Sequence, residues 1–328
     1  MPLQVHVSLQ QHRTRIVSFL LTQVVSPSVL PLFFVCIMSR HSFLITGASS
    51  GLGLEIALEA LKQGHVVAAG ARNPSEAAKQ HPEVQQLGGK WVELDVTRAD
   101  TKESVARIVK DAGVDVLINC AGYGILGSLE NTDEDEFIAQ VNTNTFGTMR
   151  TIKGALPHFR SLAESGGATI VNIGSLVTFG HFPACSAYGA SKGAVEGLSE
   201  TLALEVGPAK VRVVLIDLGI FRTRFLHAAV KPKSGLHEAY VGGSVDNTVS
   251  FLDGVAGKQP GDPALAGKRI VEIVDGTGLA KDLATQGYGK LLRVPLGSDA
   301  FEALKGKEAS LAELHALETL ARSTDFAN

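Results

Sequence analysis

Thr46-Gly47-Ala48-Ser49-Ser50-Gly51-Leu52-Gly53 is the stretch on which the reading of this chain turns. It follows the apolar run Ser42–Thr46 and opens the stretch Leu52–Gln63, whose apolar residues recur at helical spacing. A glycine-rich turn between a strand and a helix lets the backbone approach a pyrophosphate, and the helix start offers free N–H groups and a positive dipole end. Thr46, Gly47, Ser49, Ser50, Gly51, Leu52 and Gly53 are therefore candidate cofactor contacts. The spacing alone is equally that of a tight turn without a ligand; its place between first strand and first helix is what raises it.

Working outward, short β-like runs alternate with helical stretches. The predicted strands are Ser42–Thr46, His65–Ala69, Trp91–Leu94, Asp115–Ile118, Ala168–Ile173, Val211–Ile216 and Leu291–Val294, with helical spacing over Leu52–Gln63, Ser104–Asp111 and Ala187–Val206. This order predicts the α/β class, a doubly wound parallel sheet of about seven strands flanked by helices. Lys231 to Gly261, rich in Gly, Ser, Lys and Pro, reads as an irregular segment: a substrate-covering loop over about 225–261, or a plain surface excursion. Pro260-Gly261-Asp262-Pro263 reads as a loop ending in a helix N-cap at Asp262, and Asp133 to Glu136 as a solvated helix start.

Ligands of open α/β sheets bind outside the carboxyl ends of the strands, and three such ends carry polar residues. After the second strand, Ala71-Arg72-Asn73 has no carboxylate for a ribose 2′-hydroxyl; the planar cation of Arg72 suits a 2′-phosphate, which favours NADP(H) over NAD(H). Asp95 is placed to accept a hydrogen bond from an adenine amino group, and Asn119-Cys120-Ala121-Gly122 brings Asn119, Ala121 and Gly122 beside the ribose. Each is also ordinary punctuation after a strand.

The chemistry falls to a fourth site. Tyr188 and Lys192 stand four apart at the start of a helix, hence on one face about one turn, ~5.4 Å, apart. An ammonium near a phenol lowers the phenol pKa from about 10, as a proton donor to a ketone oxygen requires. Ser175, thirteen residues before Tyr188 at a strand end, is placed to hold the same oxygen.

Together TGASSGLG, Asn-Cys-Ala-Gly, Ser175 and YGASK resemble the short-chain dehydrogenase/reductase family in its compact single-domain form, over about Ser42 to Val294. The resemblance implies a seven-stranded Rossmann sheet and an Asn-Ser-Tyr-Lys site. It assigns the Asn to Asn144, holding a water in the proton relay to Lys192, with Asn142 as the alternative. It also implies cofactor roles for Tyr188, Lys192, Ile220 and Thr223, the last at the nicotinamide carboxamide. Two positions depart from the family: Cys120 replaces the second Asn of Asn-Asn-Ala-Gly, and Leu218-Gly219 replaces Pro-Gly after the sixth strand, which loosens that turn. The tail, Gly257-Lys258-Gln259-Pro260-Gly261-Asp262-Pro263 and then Leu296-Gly297-Ser298-Asp299, resembles relatives near the hydroxysteroid and retinol dehydrogenases and fungal secondary-metabolite reductases.

The remaining composition excludes more than it assigns. A net charge of −3 with scattered charges gives no basic stripe for nucleic acid, and three cysteines, Cys36, Cys120 and Cys185, without metal-ligand spacing predict neither a disulfide framework nor a metal site. Residues 16–38 are apolar after Arg13 and Arg15, the pattern of a signal segment or membrane anchor, yet Pro27 and Pro31 suit a spanning helix poorly. The plainer reading starts the chain at Met38, leaving 1–38 as an extension and 39–328 as one Rossmann-type domain in the cytoplasm. The expected activity is NADP(H)-dependent reduction of a carbonyl on a hydrophobic small molecule, CH–OH being the donor with NADP+ in reverse. The alternatives are oxidation of a steroid- or retinol-like alcohol and a non-catalytic NADP(H)-binding regulator. The family resemblance implies a homodimer or homotetramer.

Overall fold

Along the first strand, β1 (Ser42–Ile45), successive side chains leave on opposite faces: Phe43 and Ile45 enter one core and Leu44 the other, all three fully buried. Each such burial is worth about 1.5–3 kcal/mol, which pins the strand's register. The structure is a computed structural model that describes residues 40–283 and 287–326.

The other strands are β2 (Val66–Ala71), β3 (Lys90–Glu93), β4 (Val116–Asn119), β5 (Ala168–Ile173), β6 (Val211–Leu218) and β7 (Leu292–Leu296). They form one seven-stranded sheet in the order β3-β2-β1-β4-β5-β6-β7, and every pair is parallel. All seven predicted strands are present, with every end within two residues of its expected place and Ala168–Ile173 unchanged. Helices Gly51–Lys62 and Pro263–Asp275 cover the face that buries Phe43 and Ile45; Thr101–Asp111, Gly147–Ser161 and part of Ser186–Val206 cover the other. Strand order reverses between β1 and β4, so a crevice opens above their carboxyl ends. Pro295, which has no N–H to give a ladder, is tolerated in β7 because β7 is an edge strand.

Local chemistry explains the helix starts. Asp133 and Glu136 form a reciprocal capping box before Glu134–Val141, and Asp262 caps Pro263–Asp275 by accepting from the N–H groups of Ala264 and Leu265. The segment expected to be irregular, Lys231 to Gly261, instead contains a 3-10 turn, Glu238–Tyr240, and a helix, Ser244–Val255. That helix buries only Val245, yet Val245, Val249, Leu252 and Val255 stand at helical spacing, a signal passed over among the neighbouring Gly, Ser, Lys and Pro residues. Residues 1–38, with Cys36, Met38 and the signal or anchor reading, lie outside the described residues. Among the described residues no helix is long and apolar enough to cross a membrane.

Candidate active site

A cleft of about 720 Å³ opens at the carboxyl ends of the strands, lined by the glycine turn, the ends of β2 to β6 and the segment after β6. At one end, the glycine turn has no room for side chains. A methyl group on Gly53 would stand 2.5 Å from the Gly47 carbonyl oxygen, and one on Gly47, whose φ is +67°, would stand 2.9 Å from the Ala121 Cα. Ser50 precedes helix Gly51–Lys62 in extended conformation without a side-chain cap, and that helix has no acidic residue in its first turn. A backbone cradle at a helix N-terminus of this kind fits a dinucleotide pyrophosphate.

Gly47, Ser49, Ser50, Gly51, Leu52, Gly53, Arg72, Asp95, Ala121 and Gly122 all line the cleft. Arg72 is exposed just past the end of β2, while its neighbour Asn73 is occupied in capping the next helix. Asp95 accepts from the Thr97 N–H at 2.9 Å and hydroxyl at 2.7 Å. Partial burial works to raise its carboxyl, but the Thr97 hydrogen bonds and the nearby Arg72 outweigh that and hold it below the ordinary range.

Two predicted contacts do their work from behind the cleft wall. The Thr46 hydroxyl accepts from the backbone N–H groups of both Cys120 and Ala121, at 3.0 Å each, and so ties the glycine turn to the end of β4. Asn119, expected beside the ribose, turns inward: its amide nitrogen donates to Asn172 at 2.8 Å and its oxygen accepts from Thr151 at 2.6 Å, a buried link across β4 and β5. A fully buried amide must find such partners, and these consume it.

Ser175, Tyr188 and Lys192 come together at the middle of the cleft. Ser175 follows β5, and Tyr188 and Lys192 lie in the first turns of helix Ser186–Val206. The Lys192 ammonium lies 5.9 Å from the centroid of the Tyr188 ring and donates to the Ile173 carbonyl at 2.7 Å. The predicted lowering of the phenol pKa is corrected here. Burial pushes Tyr188 up to about 12, with a Ser175 hydrogen bond acting in the opposite direction. Burial also brings Lys192 down to about 8. Desolvation is the largest cause of both shifts: burial disfavours the phenolate and the ammonium alike.

Asn144 is buried inside a π-helical turn, Asn142–Phe146. Its amide nitrogen donates to the Tyr123 carbonyl at 2.9 Å and the Ser191 hydroxyl at 3.0 Å, and its oxygen accepts from the Tyr123 N–H at 3.1 Å. A methyl group on Gly122 would lie 3.0 Å from the Asn144 oxygen and 3.8 Å from Lys192 Nζ, so Asn144 and Lys192 border the same gap. Asn142 instead accepts from Arg150 at 2.8 Å. Buried Gln140, which the sequence reading missed, joins Asn144 in clamping this segment through the Tyr123 carbonyl and the Ile125 N–H. Its signal was available: Gln140 and Asn144 stand four apart, as one helical face requires.

After β6, Ile220 and Thr223 line the cleft, and the Thr223 side chain would lie 3.3 Å from a methyl group on Gly51. The turn at Leu218-Gly219 is not loose. Asp299 accepts from the Ile220 N–H at 2.6 Å, and the Gly219 N–H donates to the Leu296 carbonyl at 2.8 Å. Asp299 stands in the tail stretch Leu296-Gly297-Ser298-Asp299, but its role at this turn is not announced by the motifs. The far end of the cleft is apolar, with Leu126, Val177, Phe182, Phe225, Phe251 and Leu252 among its lining. The Phe225 ring lies 5.5 Å from that of Tyr188. Cys120 and Cys185 are free thiols, both pushed up to about 11 by burial. Among the described residues no group of His, Cys, Asp and Glu is placed to hold a metal ion.

A family profile described as short chain dehydrogenase matches residues 41–234. The chain is 43% identical over 220 residues to oxidoreductase claN of Passalora fulva, covering 67% of this chain and 99% of that protein. It is 40% identical over 207 residues to a 3-ketodihydrosphingosine reductase of Bacteroides thetaiotaomicron, covering 62% of this chain and 72% of that one. A solved short-chain dehydrogenase from Streptomyces avermitilis superimposes with a TM-score of 0.73 at 34% identity, covering 87% of this chain and all (100%) of its own.

Proposed function

This chain belongs to the short chain dehydrogenase family of oxidoreductases, whose members use nicotinamide cofactors, and on that premise we propose that it is an NADP(H)-dependent reductase of a carbonyl on an apolar small molecule. The observation that carries the reading is the meeting of Ser175, Tyr188 and Lys192 in one cleft with the glycine turn. When bound, the nicotinamide supplies the hydride to the carbonyl carbon. Tyr188 gives its proton to the carbonyl oxygen, and Ser175 hydrogen-bonds the same oxygen and holds it in place. Burial keeps the Tyr188 phenol protonated, so the proton is present before reaction, while the raised pKa makes the phenol a weaker donor than the spacing to Lys192 predicts. Lys192 binds the nicotinamide ribose, and Asn144 holds a relay water leading to it. Ile220 and Thr223 orient the carboxamide.

Arg72, with no carboxylate beside it at the end of β2, supports the choice of the 2′-phosphorylated cofactor. The apolar far end of the cleft and the segment 225–261 over it support a hydrophobic substrate. A relative named for reducing 3-ketodihydrosphingosine is a precedent for a carbonyl on such a molecule. We place the domain at 39–328, acting in the cytoplasm as a homodimer or homotetramer.

The test is NADPH oxidation with a panel of methyl ketones of increasing chain length, comparing the wild type with Tyr188→Phe. The expected result is turnover that rises with chain length and falls by at least about a hundredfold in Tyr188→Phe, with NADPH binding retained. Near-normal turnover by Tyr188→Phe would overturn the assignment.

A further inference from the structure

Arg293, on the edge strand β7, reaches three other elements with one guanidinium. Its Nε donates to Asp217 Oδ2 on β6 at 2.6 Å. Its Nη1 donates to Glu196 and lies 3.7 Å from Glu200, both on helix Ser186–Val206. Its Nη2 donates to the Thr178 hydroxyl at 3.2 Å, and its plane lies 4.3 Å from the centroid of the Phe179 ring. Thr178 in turn donates to the Ser175 carbonyl at 3.0 Å.

These partners are the supports of the reacting groups. Tyr188, Lys192, Glu196 and Glu200 follow at intervals of four, so one helix face carries the reacting pair and the two carboxylates that grip Arg293. On the other side, Asp217 is fully buried, and a methyl group on Gly174 would stand 2.5 Å from its Oδ1; the carboxylate backs directly onto the Gly174-Ser175 turn.

We propose that Arg293 is a positioning residue for the reaction: by holding Thr178 and Asp217 on one side and Glu196 on the other, it fixes the Ser175 hydroxyl against the Tyr188–Lys192 face. The inference rests on reading Ser175, Tyr188 and Lys192 as the reacting set. Arginine suits the task because its planar fork offers five fixed donors, where a lysine offers a single compact charge. The competing account is that the buried ion network only adds stability.

The deciding experiment uses full-length protein carrying tyrosine labelled with carbon-13 at Cζ. The resonance that vanishes in Tyr188→Phe reports Tyr188, and its displacement in Ser175→Ala gives the direction expected when the Ser175 contact is lost. Arg293→Lys, Thr178→Val and Glu196→Gln are each expected to move the resonance in that direction. For any ketone the wild type reduces, kcat should fall about ten- to a hundredfold with the KM for NADPH unchanged, the scale of a misplacement of roughly 1 Å. A fall in thermal midpoint alone, with the resonance in its wild-type position in all three variants, overturns the proposal. Should Arg293→Lys fail to fold, Thr178→Val and Glu196→Gln decide, since each cuts one tie and leaves the Arg293–Asp217 pair intact. If the wild type reduces no ketone, the proposed function falls by itself, while the resonance still decides the role of Arg293.

Discussion

Lys192 donates a 2.7 Å hydrogen bond to the carbonyl oxygen of Ile173, the last residue of β5 before the Gly174-Ser175 turn. The helix that carries Tyr188 is thereby fastened to the strand that carries Ser175, and the amine still has N–H groups to give the carbonyl after it loses its titrating proton.

That proton has a measurable signature. An unfolded lysine keeps its proton to about 10.5, whereas burial brings folded Lys192 down to about 8. Between these values the unfolded chain binds more protons, so Lys192 makes stability rise as pH goes from about 8 toward 10. In Lys192→Met that contribution disappears. Urea unfolding of both proteins across this range checks it; an identical pH slope in the two would refute it.

His41 should act with the opposite sign. Its Nδ1 lies 2.7 Å from Asp115, and that hydrogen bond raises the imidazole pKa above 6.5 in spite of partial burial. The stabilisation is fully present below about pH 6.5 and is lost as pH rises through the raised value. In His41→Gln the difference from wild type in urea midpoint should therefore be largest at acid pH and shrink as pH rises through the raised value.

Thr46→Val keeps the shape of a buried side chain but leaves the Cys120 and Ala121 N–H groups without their acceptor. The expected loss is about 1–3 kcal/mol in urea unfolding. Weaker NADPH binding should accompany it, because the two walls of the cofactor end are no longer joined. A stability loss with wild-type cofactor affinity would show that the joint does not shape the cleft.

Arg72→Gln tests cofactor choice. NADPH affinity should drop about ten- to a hundredfold, the worth of a charged hydrogen bond to phosphate, while NADH affinity stays where it was. An equal fall for both cofactors would assign Arg72 a role unconnected with the 2′-phosphate.

Asp299→Ala removes the acceptor of the Ile220 N–H. The expected outcome is a several-fold rise in the KM for the nicotinamide cofactor, on the order of the one hydrogen bond lost, with little change in the KM for a ketone. Both KM values rising together would mean that the whole segment after β6 had collapsed.

Much of this architecture is legible in sequence because each signal is local. Seven apolar runs announced seven strands, and the glycine turn, Ser175 and the Tyr188–Lys192 spacing announced the cleft. What stayed hidden depends on contacts between distant residues. Asn119 looks like a ligand contact until Asn172 and Thr151 are seen to occupy its amide. Arg293 belongs to no motif, and Asp299 stands in the tail stretch without a role read for it; both matter only because the chain returns to dock beside β6. The direction of the Tyr188 shift was misjudged for a similar reason, since spacing along a helix reveals a neighbour but not how dry the surroundings are.

The late arrival of β7 has a consequence for how the protein is made. A nascent chain that has emerged only as far as residue 234 holds every residue of the matched family region, yet Arg293, Asp299 and the strand that covers β6 are still to come. Until they emerge, β6 is an open border able to pair with stray chains. Competence therefore arrives with β7, and truncation before it should yield an inert, aggregating product rather than a weakened one.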